Sequence, residues 1–170
     1  MKDMGFLVSE EHLPQLHLLL VEACDILGVE YPSLYIMPNA GNLAICLAFK
    51  GLLPRLIISS DLVDMLTPRE LQSVMAQKLA PLIVQAHSRL YTNASNASNL
   101  VQIAADILLG MDGARGQFDT GIRPELARWY QFYNLIADRF ALAVTQNVET
   151  VISAIGKSTS APSCWRTRWT

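Results

Sequence analysis

Cysteine is scarce in this sequence and forms no recognisable pattern. Cys24, Cys46 and Cys164 are odd in number and widely spaced, and no Cys-x-x-Cys pair occurs. This distribution argues against a zinc knuckle and against a framework of disulfides. It indicates buried or incidental thiols in a reducing compartment.

Long hydrophobic runs and a strong charge of one sign are also absent. No uninterrupted apolar run reaches the roughly 18 residues that a transmembrane helix needs. The nearest segments, 79–86 and 100–111, are interrupted by Gln85, Gln102 and Asp106. The formal net charge is −2 and the basic residues are scattered, so we expect no nucleic-acid partner.

What the sequence does contain is apolar residues: 51% of its 170 residues are hydrophobic and 16% are charged. This length and composition predict one domain with a well-filled core. From Gly156 onward the chain becomes rich in serine, threonine and arginine and loses its periodicity. We therefore place the folded domain at residues 1–155 and predict a disordered or atypical tail at 156–170.

The first part of the chain predicts one helix and three strands. Ser9 is a suitable N-cap for an apolar repeat at helical spacing that ends at Leu27, where Gly28 suits the C-terminal stop. Short apolar segments separated by turn residues predict strands at the positions 33–37, 43–49 and 55–59.

The second part of the chain predicts helices. Thr67 and Glu70 form a capping box that begins a long helix, which continues through at least Tyr91. Pro124 opens another helix, and a short helix around 149–155 closes the core. A helix, a small sheet and then long helices make the predicted fold class α+β, with the helices segregated from the strands.

Four segments of the chain together resemble one family of enzymes. They are Leu27–Glu30, Leu34–Asn39, Ile57–Gln72 and Ala137–Gln146. The chain resembles the HtpX-like and CAAX-prenyl-protease-like zinc metallopeptidases (gluzincins of the HExxH type), especially their cyanobacterial and plant plastid members. The resemblance extends from about Val8 to Ile155. The resemblance implies a zincin-type α+β domain located in the chloroplast. Apart from the resemblance, we would expect a cytoplasmic location.

In that family, a helix carries the motif His-Glu-x-x-His. Residues four apart lie one turn apart on the same helix face, so two imidazoles can share one zinc ion. The intervening Glu activates the zinc-bound water. A Glu on a later helix supplies the third ligand, and an Asp four residues beyond it orients a zinc-bound imidazole.

This sequence departs from the family pattern at every position except the last. The resemblance places Gln77 at the first His, Lys78 at the general base and Pro81 at the second His. On the later helix, Asn134 stands at the third ligand and only Asp138 is retained. Neutral amides are poor zinc ligands, and an ammonium cannot act as a base. We therefore expect no catalytic residues, no bound metal and no cofactor.

Pro81 has a second consequence, for the predicted long helix. Inside a helix, the proline ring crowds the carbonyl of Gln77 and removes one backbone hydrogen bond. That position is expected to destabilise the helix by about 3 kcal/mol or more.

The leading hypothesis is a non-catalytic metallopeptidase homologue (a pseudoprotease) that acts as a protein-interaction, assembly or regulatory module. Metallopeptidase clefts bind extended peptides beside a sheet edge, and loss of the metal need not remove that groove. The expected partner is a peptide segment, a membrane-protein complex or an active paralogue. Tryptophans and arginines in the segment 165–169 also allow a peripheral contact with a membrane.

Two alternatives stay open. An atypical metal-dependent peptidase would need relocated ligands, for which His87 with Asp138 is the candidate pair; the ordinary interpretation of His87 is a surface or hydrogen-bonded histidine. A protein with a lipid- or small-molecule-binding cavity is suggested only by the high apolar content. Zinc content distinguishes the peptidase from the binding module.

Overall fold

The computed structural model describes residues 5–47, 53–87 and 123–159. Within these ranges the strands are β1 (Phe6–Leu7), β2 (Ser33–Met37), β3 (Ala44–Leu47) and β4 (Arg55–Ser59). The helices are α1 (Pro14–Leu27), α2 (Ser60–Met65), α3 (Pro68–Lys78), α4 (Ala80–His87), α5 (Arg123–Thr145) and α6 (Val148–Thr159). The predicted α+β class is confirmed. No helix in this part of the chain is long and apolar enough to cross a membrane.

The four strands form one mixed sheet in the order β1-β2-β4-β3. β2 and β4 run parallel in the middle, and β1 and β3 flank them in antiparallel orientation. Leu34, Leu56 and Ile58 of the central strands are fully buried. The predictions for β2 and β4 are confirmed at both ends, and β3 occupies Ala44–Leu47 of the predicted range. β1 was not predicted, because two residues carry no readable periodicity.

The predicted start of α1 at Ser9 is wrong. The helix begins at Pro14, and its N-cap Leu13 has a left-handed backbone with φ 63°. Proline fits the first helical turn because its φ is already helical and its missing N–H would have no partner there. The Ser9 hydroxyl instead accepts the backbone N–H of His12 at 3.1 Å in the preceding turn. The predicted stop at Gly28 is confirmed, with φ 64°.

Helix α3 is the centre of the domain and packs against α1, α5, α6 and β3. Its predicted capping box is present: Thr67 Oγ1 accepts the Glu70 N–H, and Glu70 Oε2 accepts the Thr67 N–H at 2.8 Å. The seven residues from Glu70 to Ala76 are all buried. A buried helix with polar side chains must find partners for them on its neighbours.

The prediction of one continuous long helix is wrong at Leu79. Helix α3 ends at Lys78, Leu79 forms a turn, and α4 begins at Ala80. Pro81 therefore lies in the first turn of α4, where a proline is tolerated, and the expected interior penalty does not apply. Tyr91, the predicted minimum extent of the helix, lies outside the described residues.

Polar side chains of α3 connect it to the helices on either side. Glu70 accepts hydrogen bonds from Ser153 and Lys157 of α6 at 2.5 and 2.8 Å. The amide of Gln72 donates to the carboxylate of Glu22 in α1 at 2.9 Å. These contacts hold three helices in register around a largely apolar core.

Ser73 is the buried polar residue of α3 that lacks such a partner within the described ranges, and its substitution tests what a buried hydrogen bond contributes to stability. Its hydroxyl oxygen is buried and has no hydrogen-bond partner among the residues that the structure describes. We expect Ser73→Ala to raise the free energy of unfolding by about 1 kcal/mol, because a buried unsatisfied hydroxyl is removed and alanine favours the helix. Chemical denaturation followed by circular dichroism measures this change.

The matched control for Ser73 is Ser153, whose hydroxyl donates to Glu70. Ser153→Ala removes a hydrogen bond to a charged group and should lower the free energy of unfolding by about 1–2 kcal/mol. Loss of stability in Ser73→Ala would show that its hydroxyl has a partner after all.

The C-terminal helices match the sequence prediction with one difference in length. Helix α5 begins at Arg123, beside the predicted Pro124. Helix α6 continues to Thr159, past the expected boundary at Ile155, and Lys157 in its last turn forms an ion pair with buried Glu70. The rest of the predicted tail, 160–170, lies outside the described residues.

Candidate functional site

A cleft of about 480 Å³ lies between strand β3 and helices α3 to α6. One wall is the segment 42–46, which includes most of β3. The other walls are helical, and their lining residues come from α2, α3, α4, α5 and the C-terminal end of α6. The cleft therefore collects residues that are far apart in the sequence.

All five residues singled out by the family resemblance line this cleft: Gln77, Lys78, Pro81, Asn134 and Asp138. The first two end α3, the proline lies in the first turn of α4, and the last two lie one turn apart on α5. Pro81 is buried and Asn134 is exposed, while the other three side chains are half-buried.

Gln77 and Asp138 are joined directly. The Gln77 amide nitrogen donates to Asp138 Oδ1 at 2.5 Å, across 61 positions of sequence. A hydrogen bond to an ionised carboxylate is stronger than one between neutral groups. This contact fixes the distance between the end of α3 and the middle of α5.

Lys78 has no such contact. Among the residues that the structure describes, it has no hydrogen bond and no carboxylate within 4 Å of its ammonium. Burial lowers the pKa of Lys78, and the negative charge of Asp138 acts in the opposite direction without reversing the shift. Within the described ranges, the cleft thus contains a partly desolvated cation with no acceptor in contact.

Strand β3 also lines this cleft. The Ser59 N–H donates to the Leu43 carbonyl at 2.8 Å, which identifies this as a hydrogen-bonded pair of the antiparallel ladder. Such pairs alternate along a strand, so Ala44 and Cys46 direct their N–H and C=O groups away from β4. In the described part of the chain β3 is the last strand at this edge. Ala44 is partly exposed and Cys46 is buried, so the backbone groups of Ala44 are the ones placed to bond an added strand.

Cys46 adds no reactive group to the site. Its side chain is 3% exposed, and burial raises the pKa of its thiol to about 12. Burial likewise raises the pKa of Cys24 to about 12. Both are free thiols, as predicted, and they stay protonated near neutral pH. Cys164 lies outside the described residues.

The side chains at the cleft do not fit a zinc ion. Zinc in proteins takes thiolate, imidazole and carboxylate ligands. At the positions that the sequence resemblance assigned to zinc chemistry, the cleft presents two amides, an ammonium and a proline, and Asp138 is already bonded to Gln77. Lys78 also adds a positive charge where a dication would lie. In the described ranges no three His, Cys, Asp or Glu side chains are grouped to hold a metal.

The remaining candidates contribute little to the site. The helix containing His87 is described, but the position of its side chain is not. Arg139, next to Asp138, is exposed and does not line the cleft. Sequence reasoning missed Ser158 and Thr159, which line the cleft from the last turn of α6. No local signal marks them, because only the packing of α6 on α3 brings them there.

The fold and the cleft define an α+β domain with a helix-walled groove beside a sheet edge. The chain is 35% identical over 152 residues to plastoglobule-localized metallopeptidase 48, chloroplastic, of Arabidopsis thaliana. The match covers 89% of this chain and 42% of that protein, so the chain spans about two fifths of the relative's length. No family model and no solved structure matches. The chain is thus related to a metallopeptidase.

Proposed function

We propose that this chain is a pseudoprotease of the HtpX-like and CAAX-prenyl-protease-like type, which binds an extended protein segment in its cleft without cleaving it. One observation carries this proposal: strand β3, at the edge of the described sheet, lines the same cleft as all five motif positions. Four of these positions differ from the family motif and one retains it.

Peptide binding is supported by the geometry of β3. An extended segment added to this edge would bond the outward N–H and C=O groups of Ala44, which is the β-augmentation mode of recognition. The helical walls would contact its side chains on one face. Backbone bonds of this kind give affinity with little dependence on sequence, so the walls would provide the selectivity.

The absence of cleavage is supported by the chemistry of the cleft. Hydrolysis in this family needs a zinc ion and a carboxylate base that activates water. Gln77, Pro81 and Asn134 supply no common zinc ligand, and Lys78 as an ammonium accepts no proton. The retained Asp138 is held by Gln77 and faces a lysine.

The proposed location is the plastid, because the relative's name places that protein in chloroplast plastoglobules. The proposed partner is a peptide segment of another protein, within a membrane-protein complex or on an active paralogue. A peripheral association with a membrane is compatible with this location.

The non-catalytic part of the proposal predicts the metal content. The protein purified from zinc-supplemented culture should contain far less than one zinc per chain by plasma mass spectrometry, because three ligands are replaced. Gln77→His is the matched variant: it adds a single imidazole, which cannot hold zinc tightly, and should stay zinc-free. About one tightly bound zinc per wild-type chain would overturn the proposal and favour a peptidase with relocated ligands.

A further inference from the structure

Lys78 is the feature of the cleft that the proposed function does not explain. Its side chain is half-buried in a cleft whose lining includes the buried apolar residues Leu62 and Val74. Moving an ammonium out of water without an acceptor is unfavourable. In the described residues no acceptor reaches it. An anion bound beside Lys78 would supply the acceptor that its ammonium lacks.

Asp138 does not fill that role, and it limits which anions can. Its Oδ1 is occupied by the Gln77 amide, and it stands more than 4 Å from the Lys78 ammonium. Its charge nevertheless acts on Lys78. One cation with one anion nearby suits a singly charged ligand and disfavours a dianion such as phosphate.

The position of Lys78 relative to β3 completes the case. It ends α3, which packs on β3, and it lines the same cleft as Ala44 and Cys46. A segment bonded to the outer edge of β3 would therefore lie in the same cleft as the ammonium. A carboxylate carried by that segment could reach it without leaving the cleft.

We propose that the cleft recognises a carboxylate of the bound segment, which the Lys78 ammonium holds by a charge-assisted hydrogen bond. The carboxylate is either the C-terminus of the segment or the side chain of an Asp or Glu. This inference rests on the proposed peptide-binding function and specifies its ligand. Lys78 is thus a specificity residue for binding and has no part in chemistry.

The test uses three fluorescein-labelled hexapeptides of alternating valine and threonine, measured by fluorescence anisotropy. The first ends in a free carboxylate, the second in an amide, and the third is the amide with one internal threonine replaced by aspartate. At least one acidic peptide should bind about tenfold tighter than the neutral amide, as expected for a hydrogen bond to a charged group. Which acidic peptide gains affinity identifies the source of the carboxylate.

Four variants show which residues cause the preference. Lys78→Met should remove the preference for the acidic peptide and leave the affinity for the neutral amide unchanged, whereas Lys78→Arg should keep the preference. Asp138→Asn should strengthen acidic binding, because a competing negative charge is removed. Ala44→Pro should weaken all three peptides, since proline removes an outward N–H without breaking the ladder to β4. Circular dichroism checks that each variant is folded.

The outcomes separate the two proposals. Equal affinity of wild type for all three peptides, lost in Ala44→Pro, would overturn the carboxylate inference and leave peptide binding standing. An acidic preference that persists in Lys78→Met would also overturn it. Binding of no peptide would overturn the proposed function and this inference together.

Discussion

Glu70→Ala is expected to lower the free energy of unfolding by about 3 kcal/mol. Glu70 completes the capping box of α3 and accepts hydrogen bonds from Ser153 and Lys157 of α6. Its side chain is only 8% exposed, so the alanine removes several buried contacts at once. A lost cap contributes about 1 kcal/mol, and a broken buried charge contact contributes the rest. Thermal melts should show a decrease of about 6–12 °C in Tm.

The same residue makes stability depend on pH in the acid range. Hydrogen bonds from Lys157 and Ser153 lower the pKa of Glu70 from 4.5 to about 2. A depressed carboxylate pKa stabilises the folded state above pH 4.5, and this contribution is lost as the pH falls from 4.5 towards 2. Because Lys157 is 41% exposed and screened by water, we expect about 2 kcal/mol of pH-dependent stability rather than the full shift.

Glu149→Ala is the matched control for Glu70. Glu149 lies in the first turn of α6 and is exposed. Its removal should change the free energy of unfolding by about 0.5 kcal/mol or less, without altering the acid dependence. If Glu70→Ala loses as little stability as Glu149→Ala, or keeps the wild-type acid dependence, the clamp between α3 and α6 does not exist in solution.

Asp138→Ala is expected to lower the free energy of unfolding by about 2–3 kcal/mol. The carboxylate accepts the Gln77 amide and is the negative charge that acts on half-buried Lys78. Its loss leaves a half-buried amide without its acceptor and an ammonium without compensation. Chemical denaturation measures the change. Asp64→Ala on α2 is the control, because Asp64 is exposed and its removal should change stability by about 0.5 kcal/mol or less.

Lys78→Met should have the opposite sign and raise the free energy of unfolding by about 1 kcal/mol, because a desolvated ammonium is replaced by an apolar chain. In the Lys78→Met background, Asp138→Ala should be milder by about 1–2 kcal/mol, since only the Gln77 contact remains to be lost. Additive, near-neutral effects would mean that the cleft is an ordinary wet groove. A lysine that weakens the fold and strengthens ligand binding is typical of a functional site.

Local chemistry could be read from the sequence with good accuracy. The capping box at Thr67 and Glu70, the stop at Gly28 and the central strands follow from residues within a few positions of each other. The helix break at Leu79 could not be read in the same way. Leu79 is fully buried, and the core contacts that its turn makes depend on the packing of the other helices.

The family resemblance singled out the residues of the candidate site, and the sequence also fixed their chemical character. Two amides, an ammonium, a proline and a carboxylate stay what they are in any fold, so their poor match to zinc follows from composition alone. The sequence did not reveal the second role of Glu70, whose partner Lys157 is 87 positions away. Sequence reasoning also placed the start of α1 at Ser9. The helix instead begins at Pro14, which suits the first helical turn.

Only the tertiary structure decided how these groups meet. Gln77 bonds Asp138 across 61 positions because α3 packs against α5, and Lys78 enters the cleft because α3 ends beside β3. A helix cap or a β-turn depends on atoms a few residues apart, so local sequence is enough to predict it. The desolvation of a lysine and the free edge of a strand depend on which distant elements surround them. Local sequence therefore determined which groups are present, and packing determined which of them lost water and which face the cleft.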